Sequence, residues 1–357
     1  MATVASAEVV EAPPRSTSMS IRAALLRPEL AAVCGLLLTF AIFATLKPTL
    51  FLALPTAITV ASTASELGIV AVCVTLLMIS GNFDLSIGAI VGFSGYGALY
   101  ALRAGYPPVI AILVALGCGV LIGLINGFLV VTTRLHSFIV TMGTMLMIRS
   151  LLNVLVQGVP TKLNLDPRLA NFIAGPNLGG LRMSLLWFGV LVVVTSVYLL
   201  RTPQGNWNYA MGQNRTAAQN LGVPVRAMTI FLFCVSGFGA ALLGTLQAAR
   251  FDSVDGSRGL GLELYVISVI VVGGASLFGG YGSTIGTMLG AFIFAMIQSG
   301  LVLSGAPGFY FDGLVGLSLF IAVFLNEWFL RNVDRFRGTP STNTRASAPQ
   351  QSSEAAP

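Results

Sequence analysis

Apolar residues run along this chain in blocks of about the length a helix needs to cross hydrocarbon, about 20 residues, separated by short polar or glycine-rich breaks. The blocks lie near 29–46, 60–80, 87–102, 107–131, 138–157, 183–200, 227–249, 264–280, 285–304 and 311–330. They predict an all-α membrane protein, a polytopic bundle of about ten transmembrane helices with broken or re-entrant segments. Residues 48–59 (PTLFLALPTAIT) are apolar but short and Pro-broken, and predict an interfacial or re-entrant piece. Residues 1–20 are polar and contain no apolar run after a basic start, so no cleaved signal peptide is expected. From Gly338 the chain is rich in Ser, Thr, Pro and Gln, a composition that stays disordered. The expected organisation is a largely disordered cytoplasmic tail over 1–27, one transmembrane domain over 28–331, and a disordered cytoplasmic tail over 332–357.

Composition supports this assignment. Of 357 residues, 55% are hydrophobic and 9% charged, and the mean hydropathy is +0.86. A soluble protein carries about 25% charged residues, so this one could not cover a water-facing surface. Placing the N-terminus inside puts Arg134, Arg201, Arg215, Arg226 and the terminal arginines in the cytoplasm. Lys47, Arg103, Lys162, Arg168, Arg182, Arg250 and Arg258 then fall outside, most of the outside acids beside them. The positive-inside bias favours both termini in the cytoplasm.

Several chemistries are excluded. The lysines are Lys47 and Lys162, and neither stands in the G-x-x-x-x-G-K-[ST] string of a phosphate-binding loop. The one histidine, His136, cannot build a His-rich metal site, and Cys34, Cys73, Cys118 and Cys234 are scattered without a C-x-x-C pair. Gly92-Phe93-Ser94-Gly95 matches the G-x-S-G string of intramembrane serine proteases, but His136 lies in a loop beside Arg134, away from any such serine. No catalytic residue and no metal site is expected.

Small residues recur instead. Gly117, Gly119, Gly123 and Gly127 stand at near-helical spacing, which lets helices approach closely. The stretch Gly81–Gly92 (GNFDLSIGAIVG) aligns without gaps to Gly279–Gly290 (GGYGSTIGTMLG). Both read either as helix breaks whose free backbone groups meet a polar solute or as two similar tight turns at the membrane edge. Both fall on one face, which an inverted five-plus-five repeat would not give. Asp84 and Arg149 stand within or beside spans, where ionisable groups are functional candidates. Arg149 is expected to pair with Asp84, Glu66 or backbone carbonyls. Candidates for the path or its gates are Asn82, Asp84, Ser86, Asn126, Arg149, Gln298, Gly279 and Gly280; Asn126, Asn153, Gln157 and Gln298 serve equally well as glue between helices.

Residues 201–226 form a basic loop between spans, with three arginines and no acid. Asn214 can cap a short helix over Arg215–Leu221, Gly222 fits the C′ position, and Pro224 prevents continuation. Two turns of helix are unstable alone. Ala217, Ala218 and Leu221 give too little apolar surface for lipid, so a protein partner is expected.

Four segments in order resemble the permease subunit of ribose-type ABC sugar importers, over about residues 30–330. They are GNFDLSIGAIVGFSG at 81–95, GLINGFLVVTTRLHSFIVTMGTMLMIRSL at 123–151, YAMGQNRTAAQNLGVPV at 209–225 and VVGGASLFGGYGSTIGTMLGA at 271–291. The resemblance implies an ATPase-coupling helix made of Arg215, Thr216, Ala217, Ala218, Leu221 and Gly222, with Thr216 where the family carries glutamate. It implies no cofactor in this chain, ATP and Mg being bound by a partner ABC ATPase. It further implies a periplasmic sugar-binding protein docking on 158–182 and 250–263, and a second permease chain, identical or similar. Nucleic acid is not an expected partner; membrane lipid is. The expected place is the bacterial inner membrane, and the cargo a monosaccharide or polyol such as ribose, xylose or galactose. A secondary carrier for a small polar solute is the alternative, although it would have no ATPase to dock.

Overall fold

The computed structural model describes residues 28–178 and 180–337. The tails expected over 1–27 and from 338 onward lie outside the described residues; the last helix continues to Arg337, six residues into the segment expected to be a tail.

The first half of the chain contains α1 (Pro28–Leu46), the single turn α2 (Pro48–Phe51), α3 (Leu54–Ile79), α4 (Ile87–Arg103), α5 (Pro108–Thr133) and α6 (Ser137–Leu155). A connection follows with β1 (Thr161–Lys162), α7 (Pro167–Ala174), β2 (Pro176–Leu178) and β3 (Leu181–Arg182). The second half contains α8 (Met183–Arg201), α9 (Pro203–Gln213), α10 (Arg215–Asn220), α11 (Val225–Phe251), β4 (Ser253–Val254), α12 (Leu262–Val272), α13 (Thr284–Leu303) and α14 (Phe309–Arg337). Among the described residues α3, α5, α6, α8, α11 and α13 are long and apolar enough to cross a membrane, and α1, α12 and α14 contain shorter apolar helices.

Two expectations are corrected. Residues 48–59 do not form a separate re-entrant piece, because Pro55 lies in the first turn of α3 and starts that helix. Nor do residues 264–280 make a full span. At 11 residues and 1.5 Å per residue, α12 rises about 16 Å, half of the roughly 30 Å hydrocarbon core.

Contacts at the helix ends define two faces. On one, Gly280 N donates to the Ile79 carbonyl at 2.8 Å and Asn208 Nδ2 to the Leu76 carbonyl at 2.8 Å. That face carries α9, α10 and the breaks after α3 and α12. On the opposite face β1 pairs antiparallel with β4, and Leu163 N donates to the Asp252 carbonyl at 3.1 Å.

Packing pairs recur between the halves. α5 packs on α11 as α13 packs on α3; α4 meets α5 as α12 meets α13; α4 meets α11 as α12 meets α3; α6 meets α4 as α14 meets α12. The partners run in opposite senses, so the halves are related by an inverted repeat. In that repeat the break 80–86 corresponds to 252–261. The gapless echo in the sequence is a different relation, between two breaks on one face that pack against each other. The inverted partners meet inside the bundle, where a Cβ on Gly88 would overlap the Gly259 carbonyl and one on Gly259 the Gly88 carbonyl.

α3 is the axis of the bundle. From Ile69 to Ile79 its residues are almost fully buried, in a core shared with α4, α11, α12 and α13. Lipid tails are as apolar as leucine, so helix association here depends on close packing of small residues. Gly119 and Gly123 of α5 provide it, since a Cβ on either would overlap α11 backbone at Gly237 or Phe233. The periphery shows the opposite pattern: Leu113, Leu121 and Phe128 of α5, Met147 and Val154 of α6, and Val193 and Val194 of α8 are exposed apolar groups.

Replacing Gly123 with Val should lower stability by about 1–3 kcal/mol through overpacking, read as a lower melting midpoint in detergent. Gly143→Val on α6, where an added Cβ meets nothing within 4 Å, should leave the midpoint within error of the parent.

Candidate functional site

A cavity of about 470 Å³ opens between the halves on the face opposite α10. Its walls come from the first turns of α3, from β3, from the last turns of α11, from α12 and from α13. On α3 the lining residues Thr59, Ser62, Thr63 and Glu66 recur at three- and four-residue intervals and so share one face. Across from them, Arg250 forms an ion pair with Glu66, and Gln247 Nε2 donates to the second carboxylate oxygen at 3.0 Å. Arg182 also lines the cavity. Burial pulls its guanidinium below its ordinary value, Arg250 adds to that, and Glu66 pushes it back up; an arginine there stays charged. Tyr265 lines the cavity and its hydroxyl donates to Asp312 Oδ1, tying α12 to α14. The lining therefore offers hydroxyls, the amides of Gln247 and Gln298, a compensated Glu66–Arg250 pair and the Arg182 guanidinium. It suits a small polar solute, since ligand sites span about 300–1,000 Å³ with few polar groups fixing orientation.

Of the path candidates named from sequence, Gln298 lines this cavity. Asn82 lines a different one on the α10 face and donates to Ser80 Oγ at 2.9 Å. Asp84, Ser86 and Asn126 are brought together in the interior. Asp84 Oδ1 accepts from Ser86 N at 2.9 Å and from Ser86 Oγ at 2.6 Å. Its Oδ2 accepts from Ser236 Oγ of α11 at 2.7 Å. Asn126 Nδ2 of α5 donates to Ser86 Oγ at 2.9 Å. The break is also held from α6, where Ser137 Oγ accepts from Phe83 N and Thr141 Oγ1 from Leu85 N. These partners replace the helix hydrogen bonds lost over 82–86.

Arg149 performs the matching task for the opposite break. Its guanidinium donates to the carbonyls of Gly256 at 3.0 Å, Arg258 at 3.2 Å and Gly259 at 3.4 Å. Of the three kinds of partner expected for it, the backbone carbonyls are the ones it meets.

On the α10 face, α10 spans Arg215–Asn220, and Asn214 Oδ1 accepts from Ala217 N at 3.0 Å as its N-cap. Gly222 ends it with φ +86°, a conformation glycine adopts without steric cost. Ala218 is buried against Met211, Val223, Val225 and Met228. Thr216 and Ala217 are exposed, and Leu221 is 84% exposed. Arg215 reaches back to Thr229 Oγ1 at 3.1 Å, and burial lowers its guanidinium from its ordinary value.

The sequence reading found one helix in this loop; the structure has two. α9 connects α10 to the membrane helices. A Cβ on Gly212 would overlap the Ile79 carbonyl and the Gly280 amide, so α9 sits directly on both glycine breaks. Tyr209 OH donates to the Gly282 carbonyl at 2.9 Å. Gly279 and Gly280, named as gate candidates, lie in this contact, both at positive φ. The signal for α9 was present as Thr202-Pro203, an N-cap followed by Pro in the first turn; Thr202 Oγ1 accepts from Gly205 N at 3.2 Å.

Asp84→Ala should strand the Ser86 and Ser236 donors in the interior and cost about 2–3 kcal/mol. Asp84→Asn, which keeps an acceptor toward Ser86, should cost about 1 kcal/mol. Melting in detergent distinguishes the two.

Comparison with known proteins agrees with this architecture. Residues 56–323 match the family described as the branched-chain amino acid transport system / permease component. A probable ABC transporter permease protein, y4mJ of Sinorhizobium fredii, is 34% identical over 255 residues, covering 71% of this chain and 76% of that protein. The autoinducer 2 import system permease protein LsrC of Yersinia pseudotuberculosis is 35% identical over 264 residues, covering 72% of this chain and 73% of its own. With the match extending over most of the membrane domain, the chain belongs to this family of ABC transporter permease components, of the ribose type that its four sequence segments resemble.

Proposed function

We propose that this chain is the membrane path of an ATP-driven importer for a small hydroxyl-rich molecule, a monosaccharide or a polyol, in the bacterial inner membrane with both termini in the cytoplasm. The observation that carries this reading is the seating of α10 and α9. A helix with exposed Thr216, Ala217 and Leu221 rests, through Gly212, on the two breaks beneath the cavity. A partner ATPase gripping α10 would move both breaks at once. Arg215, Thr216, Ala217, Ala218, Leu221 and Gly222 form that grip, and Thr216 removes the ion pair a glutamate would offer.

The cavity would then face the periplasm. Thr59, Ser62, Thr63, Gln247 and Gln298 present hydroxyls and amides to cargo, and the Glu66–Arg250 pair presents donors and acceptors with its charges compensated. The relative LsrC is named for an autoinducer 2 import system, which places a small molecule as cargo in a permease of this family. Weak binding suits a path whose selection is made by a separate binding protein, since cargo must also leave. Loops 158–182 and 250–263 would receive that protein. The β1–β4 pairing joins them into one surface. A second permease chain would complete the path. The secondary carrier is less well supported: among the described residues the cavity is lined by a single carboxylate, already paired, with no histidine beside it.

Purification of the tagged chain from its native membranes should bring a stoichiometric P-loop ATPase with it. A chain that emerges alone, and transports alone in liposomes under an ion gradient, would overturn the reading in favour of the carrier. Gly222→Val should abolish ATP-driven uptake and substrate-stimulated ATP hydrolysis while membrane insertion stays at the parent level. Uptake at the parent rate by that variant would remove the coupling role from α10.

A further inference from the structure

A second cavity, also of about 470 Å³, lies on the α10 face between the ends of α5 and α6 and the corner from α10 into α11. Its ionisable lining consists of Arg134, His136, Arg215 and Arg226, with no carboxylate among the lining residues. Arginines on a cytoplasmic face are ordinary; three of them converging on one concavity is a different arrangement. Arg215 is held toward it from Thr229 at 3.1 Å. Arg134 ends α5 at φ 58°, a left-handed position that glycine fills without cost, so the chain keeps a cation there against its backbone preference.

The cavity also has an apolar margin. Val130, Val131 and Leu135 line it, and Phe128 of α5 and Phe138 of α6, which flank the lining stretch 130–137 in sequence, are 57% and 49% exposed. Basic pockets between membrane helices at the cytoplasmic side bind anionic lipid headgroups. We infer that this cavity is a binding site for an anionic phospholipid, its phosphate among Arg134, His136, Arg215 and Arg226 and its acyl chains along the exposed faces of α5 and α6. A soluble phosphate would use the basic lining but not the apolar lining of Val130, Val131 and Leu135, and an acidic partner segment would leave the exposed Phe128 and Phe138 uncovered. The site rests on the charge and shape of this cavity and does not depend on what the opposite cavity carries. Because Arg215 belongs both to it and to α10, the bound lipid bears directly on that helix.

The test uses the full chain in mild detergent, titrated with phosphatidylglycerol, phosphatidylcholine or glycerol 3-phosphate and read by native mass spectrometry. Phosphatidylglycerol should be retained and phosphatidylcholine should not. Arg134→Gln should weaken retention about fivefold and Arg134→Gln with Arg226→Gln roughly 25-fold, from the loss of one and two surface charges. Arg201→Gln, which removes a charge from the same face outside the cavity, should change nothing. A photoreactive phosphatidylglycerol on the unaltered chain should label residues 128–139, which keeps the test independent of variant folding. Equal retention by the double variant and the parent would overturn the site, as would labelling elsewhere. Glycerol 3-phosphate binding as tightly as the lipid would overturn the lipid assignment in favour of a free-phosphate site. Displacement of the lipid by the bound ATPase, with Arg134 cross-linked to it, would overturn it in favour of a protein contact.

Discussion

Hydrocarbon offers no partner to a backbone amide or carbonyl, so every interruption of a membrane helix must be satisfied from within the protein. This chain interrupts its helices twice in inverted positions, over 80–86 and 252–261, and the rest of the bundle is arranged around meeting that demand. One carboxylate answers the first break: Asp84 gathers Ser86 and Ser236, while Ser137 and Thr141 accept the freed amides of Phe83 and Leu85. One guanidinium answers the second, with Arg149 collecting three carbonyls. The charge scarcity of the spans follows from the same rule, because an ionisable group persists there where it finds partners: backbone and hydroxyls for Asp84, backbone for Arg149, and the Arg250 side chain for Glu66.

This division separates two jobs along the membrane normal. Towards one face, polar side chains on regular helices border open space. Towards the other, backbone meets backbone through Gly212, Ile79 and Gly280, with α9 and α10 stacked beneath. Apolar packing along α3, from Ile69 to Ile79, fills the interval between them. Under the proposed function, side chains would contact what passes and main chain would carry displacement from α10 inward.

Helix type and the position of most apolar blocks were legible in the sequence because hydrocarbon thickness imposes a length that an apolar block must match. The short helix over 215–220 was legible too, since Asn214, Gly222 and Pro224 mark its ends by local chemistry. Half-helices were less visible: α12 runs on into apolar residues Ala275, Leu277 and Phe278, and only the contacts of its ends reveal where it stops. The cavity was missed for a related reason. Gln298 drew attention as one of four amides, with Asn126, Asn153 and Gln157, whereas Thr59, Ser62, Thr63 and Glu66 form a face only once α3 is known to begin at Leu54. Pro55 hid that start by resembling a break. Which side of the membrane each loop shares was inferred correctly for the two glycine breaks, yet their mutual contact through α9 depends on long-range packing that no local pattern encodes.

The two kinds of surface also differ in how freely they can change over generations. Wall positions such as Thr59 and Gln247 project from regular helix, so exchanging them alters a hydrogen bond without disturbing the main chain. Gly212 has no such latitude, because any added atom strikes backbone on two sides. On the proposed reading, cargo preference could therefore shift one wall position at a time, while the contact beneath α9 tolerates no side chain at all.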